Sequence, residues 1–220
     1  MLFNLLRERG LLVRKRKTRM QTTFSKHWLK KHPNLIKDML VKRPDELWVS
    51  DITYIQLDTG YCYLSLITDA YSRRIMGFFL SETLEATGCL KALQMALNTC
   101  SDTTRLTHHS DRGVQYCSNE YVRILLDNNI RISMTENGDP LENAIAERVN
   151  GILKDELLKT NYSCYDEAQK DVATAINTYN SLRPHSSCDM LTPDIAHSQQ
   201  GYLKRHWKNY YKKKEVNMLT

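Results

Sequence analysis

The chain has 220 residues, of which 41% are hydrophobic and 25% charged, which suits one good-sized core with short appendages. No apolar run is long enough to cross a bilayer, and charges interrupt the first ten residues where a signal peptide needs an apolar stretch, so a membrane-spanning segment is excluded and secretion is disfavoured. The six cysteines form no CxxC pair and no zinc-site spacing. We therefore expect a cytoplasmic protein with reduced thiols.

The net charge of +6 is unevenly distributed along the chain. Residues 1–43 carry 13 Lys and Arg against two acids, and residues 202–214 carry six against none, whereas residues 44–201 carry 12 against 22 acids. Basic arms suit a phosphate backbone, and an acidic centre would repel that backbone unless cations neutralise its carboxylates. Composition alone equally allows charged faces that are merely solvated.

The predicted elements alternate between sheet and helix periodicity. Residues 2–12 predict the end of a helix stopped by Gly10, followed by a basic linker at 14–19. Strict alternation predicts a strand at 47–56 and places Asp51 on its largely apolar face. The later elements are predicted as strands 61–68 and 74–80, helix 84–98, strand 104–110, helix 119–128, strand 130–134, and helices 142–158 and 166–182.

This order predicts an α/β fold. Three strands linked by hairpins, followed by alternating helices and strands, indicate a mixed five-stranded sheet flanked by helices. We divide the chain into a short basic N-terminal arm (1–43), a core (44–200) and a basic C-terminal tail (201–220).

Three carboxylates occupy informative places. Asp51 lies in the middle of a strand, Asp111 ends a strand, and Glu147 lies within a helix. A buried carboxylate needs a partner, either an arginine or backbone cap, or a metal ion. Magnesium prefers oxygen ligands, and two ions can clamp the attacking and leaving oxygens of a phosphoryl transfer. Three acids among 25 prove nothing by themselves, so the residues around them matter.

Those surrounding residues resemble the DDE transposases of bacterial insertion sequences, whose core is similar to retroviral integrase. The family pattern is W-x-x-D-I-T-Y, then H-S-D-x-G-x-Q-Y, then D-N-A-x-x-E with L-K seven residues on. The matching segments run from Trp48 to Ile55, from His108 to Tyr116, and from Asn143 to Lys154, with 35 residues between Asp111 and Glu147. Tyr179-Asn180-x-x-Arg183-Pro-His185 and Thr192-Pro193 resemble its downstream signature.

The resemblance implies an RNase H-like fold and metal-dependent strand cleavage and strand transfer at insertion-sequence ends. It places Asp51, Asp111 and Glu147 on the catalytic, metal-binding acids, with two Mg²⁺ ions per site for which Mn²⁺ substitutes. The implied partners are transposon-end and target DNA, further copies in an oligomer on DNA, and a first-frame helix-turn-helix protein. Two departures are Glu142 in place of the usual Asp, and an N-terminal arm with only a remnant of the helix-turn-helix region.

Several further residues are predicted to contact DNA. Lys154 and Asn143 share the helix face of Glu147, and the others lie near the site or in the tail. The predicted DNA-binding residues are Lys154, Asn143, Arg148, Arg183, Lys204, Arg205, Lys208 and Lys212. The alternatives left open are a solvated lysine for Lys154, a helix cap for Asn143, packing for Arg183, and a frayed terminus for the tail.

Two residues near the acids have different predicted roles. His109 shares the strand face of Asp111, so it either supports a metal-bound acid through a hydrogen bond or is a structural histidine. Asp69 ends a strand, and we predict that it caps the following turn rather than binding metal.

The predicted activity is metal-assisted phosphoryl transfer, in which water and then a DNA 3′-hydroxyl attack a phosphodiester. Two alternatives stay open. One is an RNase H-like nuclease that hydrolyses DNA without joining it. The other is a truncated transposase that binds DNA and acts as an inhibitor.

Overall fold

A five-stranded sheet with helices on both faces forms the centre of the computed structural model, which describes residues 2–9, 27–136 and 140–206. In chain order the elements are α1 (Leu2–Glu8), β1 (Leu47–Leu57), β2 (Gly60–Asp69), β3 (Ile75–Ser81), α2 (Ala86–Thr99), β4 (Thr107–Ser110), α3 (Asn119–Asp127), β5 (Arg131–Met134), a 3₁₀ turn (Pro140–Asn143), α4 (Ala144–Ile152), a π-helical turn (Leu153–Leu157), α5 (Tyr165–Ser181) and α6 (Pro193–His197). Within the described ranges, no helix combines the length and the apolarity that crossing a bilayer requires.

The sheet is mixed, as predicted, with strand order β3-β2-β1-β4-β5. Strands β1, β2 and β3 pair antiparallel, whereas β4 pairs parallel to both β1 and β5. The turn from β1 to β2 is closed at Gly60, whose φ of 145° is a conformation that side chains with a Cβ rarely adopt. The turn at Asp58-Thr59-Gly60 is therefore one of the predicted hairpins.

Successive side chains of β1 point alternately into two hydrophobic cores, one on each face of the sheet. Trp48 and Ile52 face one side, where they pack with α2 and α3. Ile55 and Leu57 face the other side, where they pack with α4 and α5. The predicted alternation along this strand is confirmed, and the two cores hold helices on both faces of the sheet.

The predicted helix at 142–158 is not uniform. It begins with a 3₁₀ turn, becomes α-helical at Ala144, and ends in a π-helical turn. In that last turn the N–H of Leu158 donates to the carbonyl of Leu153, five residues earlier. Periodicity predicts a helix here but does not distinguish these three windings, because they differ by a fraction of a residue per turn.

Residues 27–43, which we call the N-terminal strap, cover the outer edge of β5. The carbonyl of Pro33 accepts the N–H of Met134 at 3.2 Å, and Ser133 Oγ accepts the N–H of Leu35 at 2.9 Å. Strap side chains also pack beside Leu47 and Ala146. This part of the predicted N-terminal arm therefore belongs to the packed core, while the linker at 14–19 lies outside the described residues.

The other sheet edge, β3, is covered by side chains. The Asn180 amide accepts the N–H of Ile75 at 2.9 Å and donates to its carbonyl at 3.0 Å, as a neighbouring strand would. Further along the strand, Tyr165 donates its hydroxyl to the Leu80 carbonyl. Asn180 of the downstream signature thus has an architectural role, because it satisfies an exposed strand edge.

Gly77 allows α2 to lie close against β3, and this contact gives a first prediction. A Cβ at Gly77 would lie 2.1 Å from the Ala92 carbonyl oxygen, and backbone cannot yield as a side-chain tip would. We expect Gly77→Ala to lower the free energy of unfolding by about 3 kcal/mol in urea titrations. Gly151→Ala is the matched control, since a Cβ there meets nothing within 4 Å and helix propensity favours alanine by about 1 kcal/mol. Equal effects of the two substitutions would contradict this explanation.

Candidate active site

Strand register brings Asp51 and Asp111 side by side. Strands β1 and β4 run parallel, with Leu47 opposite Thr107 and Val49 opposite His109. Extending that register by two residues places Asp51 opposite Asp111. Strand β4 ends at Ser110 while β1 continues to Leu57, so the pair lies where the two strands separate. Such a crevice at the carboxyl end of parallel strands is a frequent ligand site.

Beyond this point none of the described strands pairs with the edge of β1 that faces β4, and side chains of the site satisfy its backbone groups. Asn143 Nδ2 donates to the Ser50 carbonyl at 3.0 Å. Asp51 Oδ1 accepts the N–H of Ile52 at 2.9 Å. Backbone pairing resumes at Gln56, whose carbonyl accepts the N–H of Tyr162. The Asp51 carboxylate is thus fixed partly by the strand edge that it caps.

The Asp51 carboxylate is held in an environment that disfavours its charge. Burial raises its pKa to about 7, and the charges of Asp111 and, more weakly, Glu147 add to the rise. Two hydrogen bonds oppose it, from the N–H of Ile52 and from Asn150 Nδ2, which donates to Oδ2 at 2.7 Å. The three predicted acids therefore interact electrostatically, and the strongest repulsion of Asp51 comes from Asp111.

The loop after β4 is built closely around the second acid. Asp111 Oδ1 accepts the N–H of Gly113 at 2.8 Å. A Cβ at Gly113 would lie 3.0 Å from that same oxygen and 3.1 Å from Gln115 Oε1. Gln115 is itself fixed by a 2.9 Å bond from Nε2 to the Leu84 carbonyl. Glycine at 113 thus leaves room for the carboxylate to receive its backbone bond.

One stripe of α4 and the turn after it faces the strand that carries Asp51. Asn143, Glu147, Asn150 and Lys154 are spaced four, three and four residues apart, which aligns them on one helix face. Asn143 contacts Ser50, Asn150 contacts Asp51, and Lys154 Nζ lies 3.7 Å from the centre of the Tyr54 ring. Asn150 was not predicted, although its spacing from Glu147 and Asn143 was the signal that could have found it.

Glu147 itself is exposed on α4. Across residues 2–9, 27–136 and 140–206, no three His, Cys, Asp or Glu side chains are close enough together to hold a metal ion. The structure thus brings Asp51 and Asp111 together and leaves Glu147 farther out. The residues nevertheless fit a divalent cation, because their charged groups are all carboxylates and a cation would relieve the repulsion that raises the pKa of Asp51.

The two histidines before Asp111 are buried. His108 Nε2 lies 2.7 Å from Ser50 Oγ and 2.9 Å from the Tyr121 hydroxyl, and burial lowers its pKa to about 3. His109 Nδ1 lies 2.8 Å from Ser133 Oγ on β5, and burial lowers its pKa to about 4. His108 is structural, and the contact of His109 is one that ties β4 to β5. Support of a metal-bound acid by His109 stays a prediction.

The predicted DNA-binding residues lie in different surroundings. Asn143 is buried and donates to the Ser50 carbonyl, and it makes no side-chain cap of α4. Its contact with DNA stays a prediction. Arg183 donates two hydrogen bonds of 2.7 and 3.0 Å to Glu156, which supports the alternative that Arg183 has a packing role. Arg148, Lys204 and Arg205 are exposed, whereas Lys208 and Lys212 lie outside the described residues.

Asp69 caps a turn, as predicted. Its Oδ1 accepts the backbone N–H groups of Tyr71 and Ser72 and the Ser72 hydroxyl at 2.8–3.1 Å. Its Oδ2 accepts the N–H of Asp45 at 2.9 Å. A carboxylate with four donors is satisfied without a metal ion.

Two family models match the chain. Both are described as an integrase core domain, one over residues 41–140 and the other over residues 128–193. Together they cover the sheet, the loop of Asp111 and the helices that carry Glu147 and the downstream signature.

Curated relatives are insertion-sequence transposases. The chain is 33% identical over 194 residues to the transposase InsF for insertion sequence IS3A of Escherichia coli strain K12, covering 86% of this chain and 67% of that protein. It is also 33% identical over 157 residues to the putative transposase of insertion sequence element IS986/IS6110 from Mycobacterium tuberculosis, covering 68% of this chain and 56% of that protein.

Solved structures share the fold at low identity. The simian T-cell lymphotropic virus intasome in complex with PP2A regulatory subunit B56 gamma matches with a TM-score of 0.61 at 18% identity, over 84% of this chain and 66% of that chain. The HTLV-2 integrase catalytic core domain in complex with magnesium (trimeric form) matches with a TM-score of 0.55 at 17% identity, over 70% and 97% of the two chains. The predicted RNase H-like fold is confirmed.

The electrostatics of Asp51 give a second prediction. Because the folded pKa of about 7 exceeds the ordinary value of 3.8, the folded state holds a proton that the unfolded state has released between these pH values. Ionisation of Asp51 therefore costs stability as pH rises from about 4 to about 7. We expect Asp51→Asn, in the absence of metal, to raise the free energy of unfolding by about 4 kcal/mol at pH 8 and by nothing below pH 4.

The measurement is urea unfolding of both proteins across that pH range. Asp38→Asn, at an exposed position of the N-terminal strap, is the control and should leave the profile unchanged. A stability difference that does not vary with pH would show that Asp51 is not the group responsible.

Proposed function

Because the chain belongs to the insertion-sequence transposases with an integrase core domain, of the IS3 InsF type, we propose that it cleaves DNA strands at insertion-sequence ends and joins them to target DNA. The observation that supports the proposal most is the placement of Asp51 beside Asp111 where β1 and β4 separate. Two neighbouring carboxylates that repel each other offer the oxygen ligands that divalent cations prefer, and phosphoryl transfer on a pair of metal ions uses such ligands.

We propose Mg²⁺ as the cofactor, with Mn²⁺ able to substitute, held by Asp51, Asp111 and Glu147 as two ions per site. A related fold, the HTLV-2 integrase core, was solved in complex with magnesium. When bound, the ions supply Lewis-acid activation of the phosphodiester and of the attacking oxygen.

The residues of this chain orient the acids. The Asp51 carboxylate is held by Asn150 and by the N–H of Ile52, and the Asp111 carboxylate by the N–H of Gly113. These donors reduce the rotation of both carboxylates before any DNA arrives, which lowers the cost of ordering the site. Glu147, exposed on the α4 stripe, is the member that remains accessible from solvent.

The charge distribution supports DNA as the partner. The core has more acids than bases, whereas the segments at both ends of the chain are strongly basic, so the phosphate backbone is attracted mainly by the arms. Near the acids, Lys154 and the exposed Arg148 supply positive charge from the side of α4. We propose that the chain acts as an oligomer on DNA and, as in the family resemblance, with a helix-turn-helix partner.

The acids give a third prediction. Asp51→Asn, Asp111→Asn and Glu147→Gln should each reduce cleavage of an end-bearing duplex to background, because each removes a ligand charge, while DNA affinity is largely kept. Glu120→Gln, an exposed acid on α3, is the control and should remain active. Activity should require Mg²⁺ or Mn²⁺ and disappear in excess EDTA. An active Glu147→Gln protein would remove Glu147 from the site.

The same assay separates joining from simple hydrolysis. Supplying a pre-cut end with a free 3′-hydroxyl and a labelled target should yield a covalently joined product. Hydrolysis with no joined product would favour the RNase H-like nuclease, and binding without either reaction would favour the inhibitor.

Lys154 gives a fourth prediction with a matched control. Lys154 Nζ lies over the Tyr54 ring beside the site. Lys91 of α2 places its Nζ over the ring of Phe79, a β3 residue, at the other face of the sheet. Each alanine substitution removes a similar cation–π contact. We expect only Lys154→Ala to weaken binding of DNA and to flatten the plot of log affinity against log salt by about 0.9. Equal salt slopes for both variants would favour the alternative that Lys154 is a solvated lysine without a contact to DNA.

A further inference from the structure

The first residues of the N-terminal strap alternate between inward and outward side chains beside the active site. Leu29 packs against the core of Trp48 and Ile52. The ring nitrogen Nε2 of His27 lies 2.9 Å from the carbonyl oxygen of Arg112, the residue that follows Asp111. These two inward contacts leave Trp28 and Lys30 facing solvent.

Among the described residues, Trp28 is the most exposed large hydrophobic residue, with 89% of its surface accessible to solvent. A single exposed apolar side chain is ordinary on a protein surface. The position of Trp28 is unusual, because His27 next to it contacts the loop that carries Asp111. Trp28 is therefore the direct chain neighbour of a residue that contacts the Asp111 loop, and its indole is exposed to solvent.

Cations lie near Trp28 in the sequence of the strap and in the Asp111 loop that His27 contacts. Lys30 and Lys31 are exposed. Lys31 and Arg112 both oppose the rise in the pKa of the buried Cys117 thiol, which places both cations near the Asp111 loop. Arg112 Nε is buried and has no hydrogen-bond partner among the residues that the structure describes. Cations interleaved with an exposed aromatic ring are the features with which proteins hold unpaired nucleotides.

We propose that Trp28 stacks on an unpaired base at a DNA end held in the active site, while Lys30, Lys31 and Arg112 contact the neighbouring phosphates. The base is unpaired because an indole needs an open π-face, which neighbouring bases cover inside a duplex. This inference rests on the proposed function in that it takes DNA ends as the substrate of the adjacent site. It adds that the strap recognises the single-stranded character of those ends.

The experiment measures binding in EDTA, so that it is independent of catalysis. A labelled duplex carrying a short single-stranded tail and a blunt duplex of the same sequence are titrated with wild type, Trp28→Ala and Trp28→Phe. Because stacking contributes about 1–3 kcal/mol per base, Trp28→Ala should weaken binding of the tailed duplex by about 5- to 150-fold. Binding of the blunt duplex should change less than about 2-fold, and Trp28→Phe should restore most of the loss.

Two additional measurements make the assignment specific. In a Trp207→Phe background the remaining tryptophans are Trp28 and the fully buried Trp48, so quenching by tailed DNA reports stacking on Trp28. Leu40→Ala is the matched control, because Leu40 lies on the same strap, is 79% exposed, and borders a separate cleft with Arg105 and Arg131. It should bind both duplexes as wild type does.

Several outcomes would overturn the proposal. Equal losses on tailed and blunt duplexes, or no quenching while the tailed duplex is bound, would mean that Trp28 does not stack on an unpaired base. Quenching that depends on protein concentration without DNA would indicate a second copy of the chain on Trp28. Protection of Trp28 from iodide in the free protein would indicate that another part of the chain covers it.

The proposed function and this inference fail in different ways. If the preference for tailed DNA depends on Trp28 but no metal-dependent cleavage occurs, the inference stands and the catalytic proposal fails. If cleavage depends on the three acids but Trp28→Ala binds both duplexes normally, the catalytic proposal stands and the inference fails.

Discussion

The repulsion between Asp51 and Asp111 is the interaction on which the surrounding structure depends. Parallel pairing of β1 and β4 determines it, because the register that joins Val49 to His109 also sets the two carboxylates opposite each other. Burial makes the repulsion stronger, and donors from Ile52, Asn150 and Gly113 only partly offset it. The fold thus spends stability at this point, as sites built for charged ligands do.

Periodicity predicted the parts of this site that depend on strands. The alternation around Asp51 predicted its face, and the mixed sheet followed from the order of hairpins and helices. The sequence did not predict the contacts that depend on where two elements cross. The face that Asn143 shares with Glu147 predicts a contact with DNA. Only the tertiary structure reveals that this face also meets the edge of β1, where Asn143 donates to Ser50. The contact of Asn150 with Asp51 likewise depends on where α4 crosses β1.

The family motifs combine residues of chemistry with residues of architecture. In the downstream signature, the Asn180 amide makes the hydrogen bonds to β3 that a neighbouring strand would make. Arg183 donates to Glu156 in the π-helical turn after α4. The rings of Tyr179 and His185 meet edge to face, with centroids 5.0 Å apart. These residues keep α5 in place behind the helix that carries Glu147. A motif match therefore locates the site without telling which of its members touch the substrate.

The covered sheet edges have a consequence for how copies of this chain meet. Along β3 and β5 in the described structure, an incoming strand would find Asn180, Tyr165 and the N-terminal strap already bonded to the backbone groups that it needs. Strand addition, the usual route by which sheets aggregate, must first break those bonds. In the oligomer on DNA that we propose, contacts between copies would therefore fall to helices and loops, whose side chains can be exchanged one at a time without disturbing the sheet.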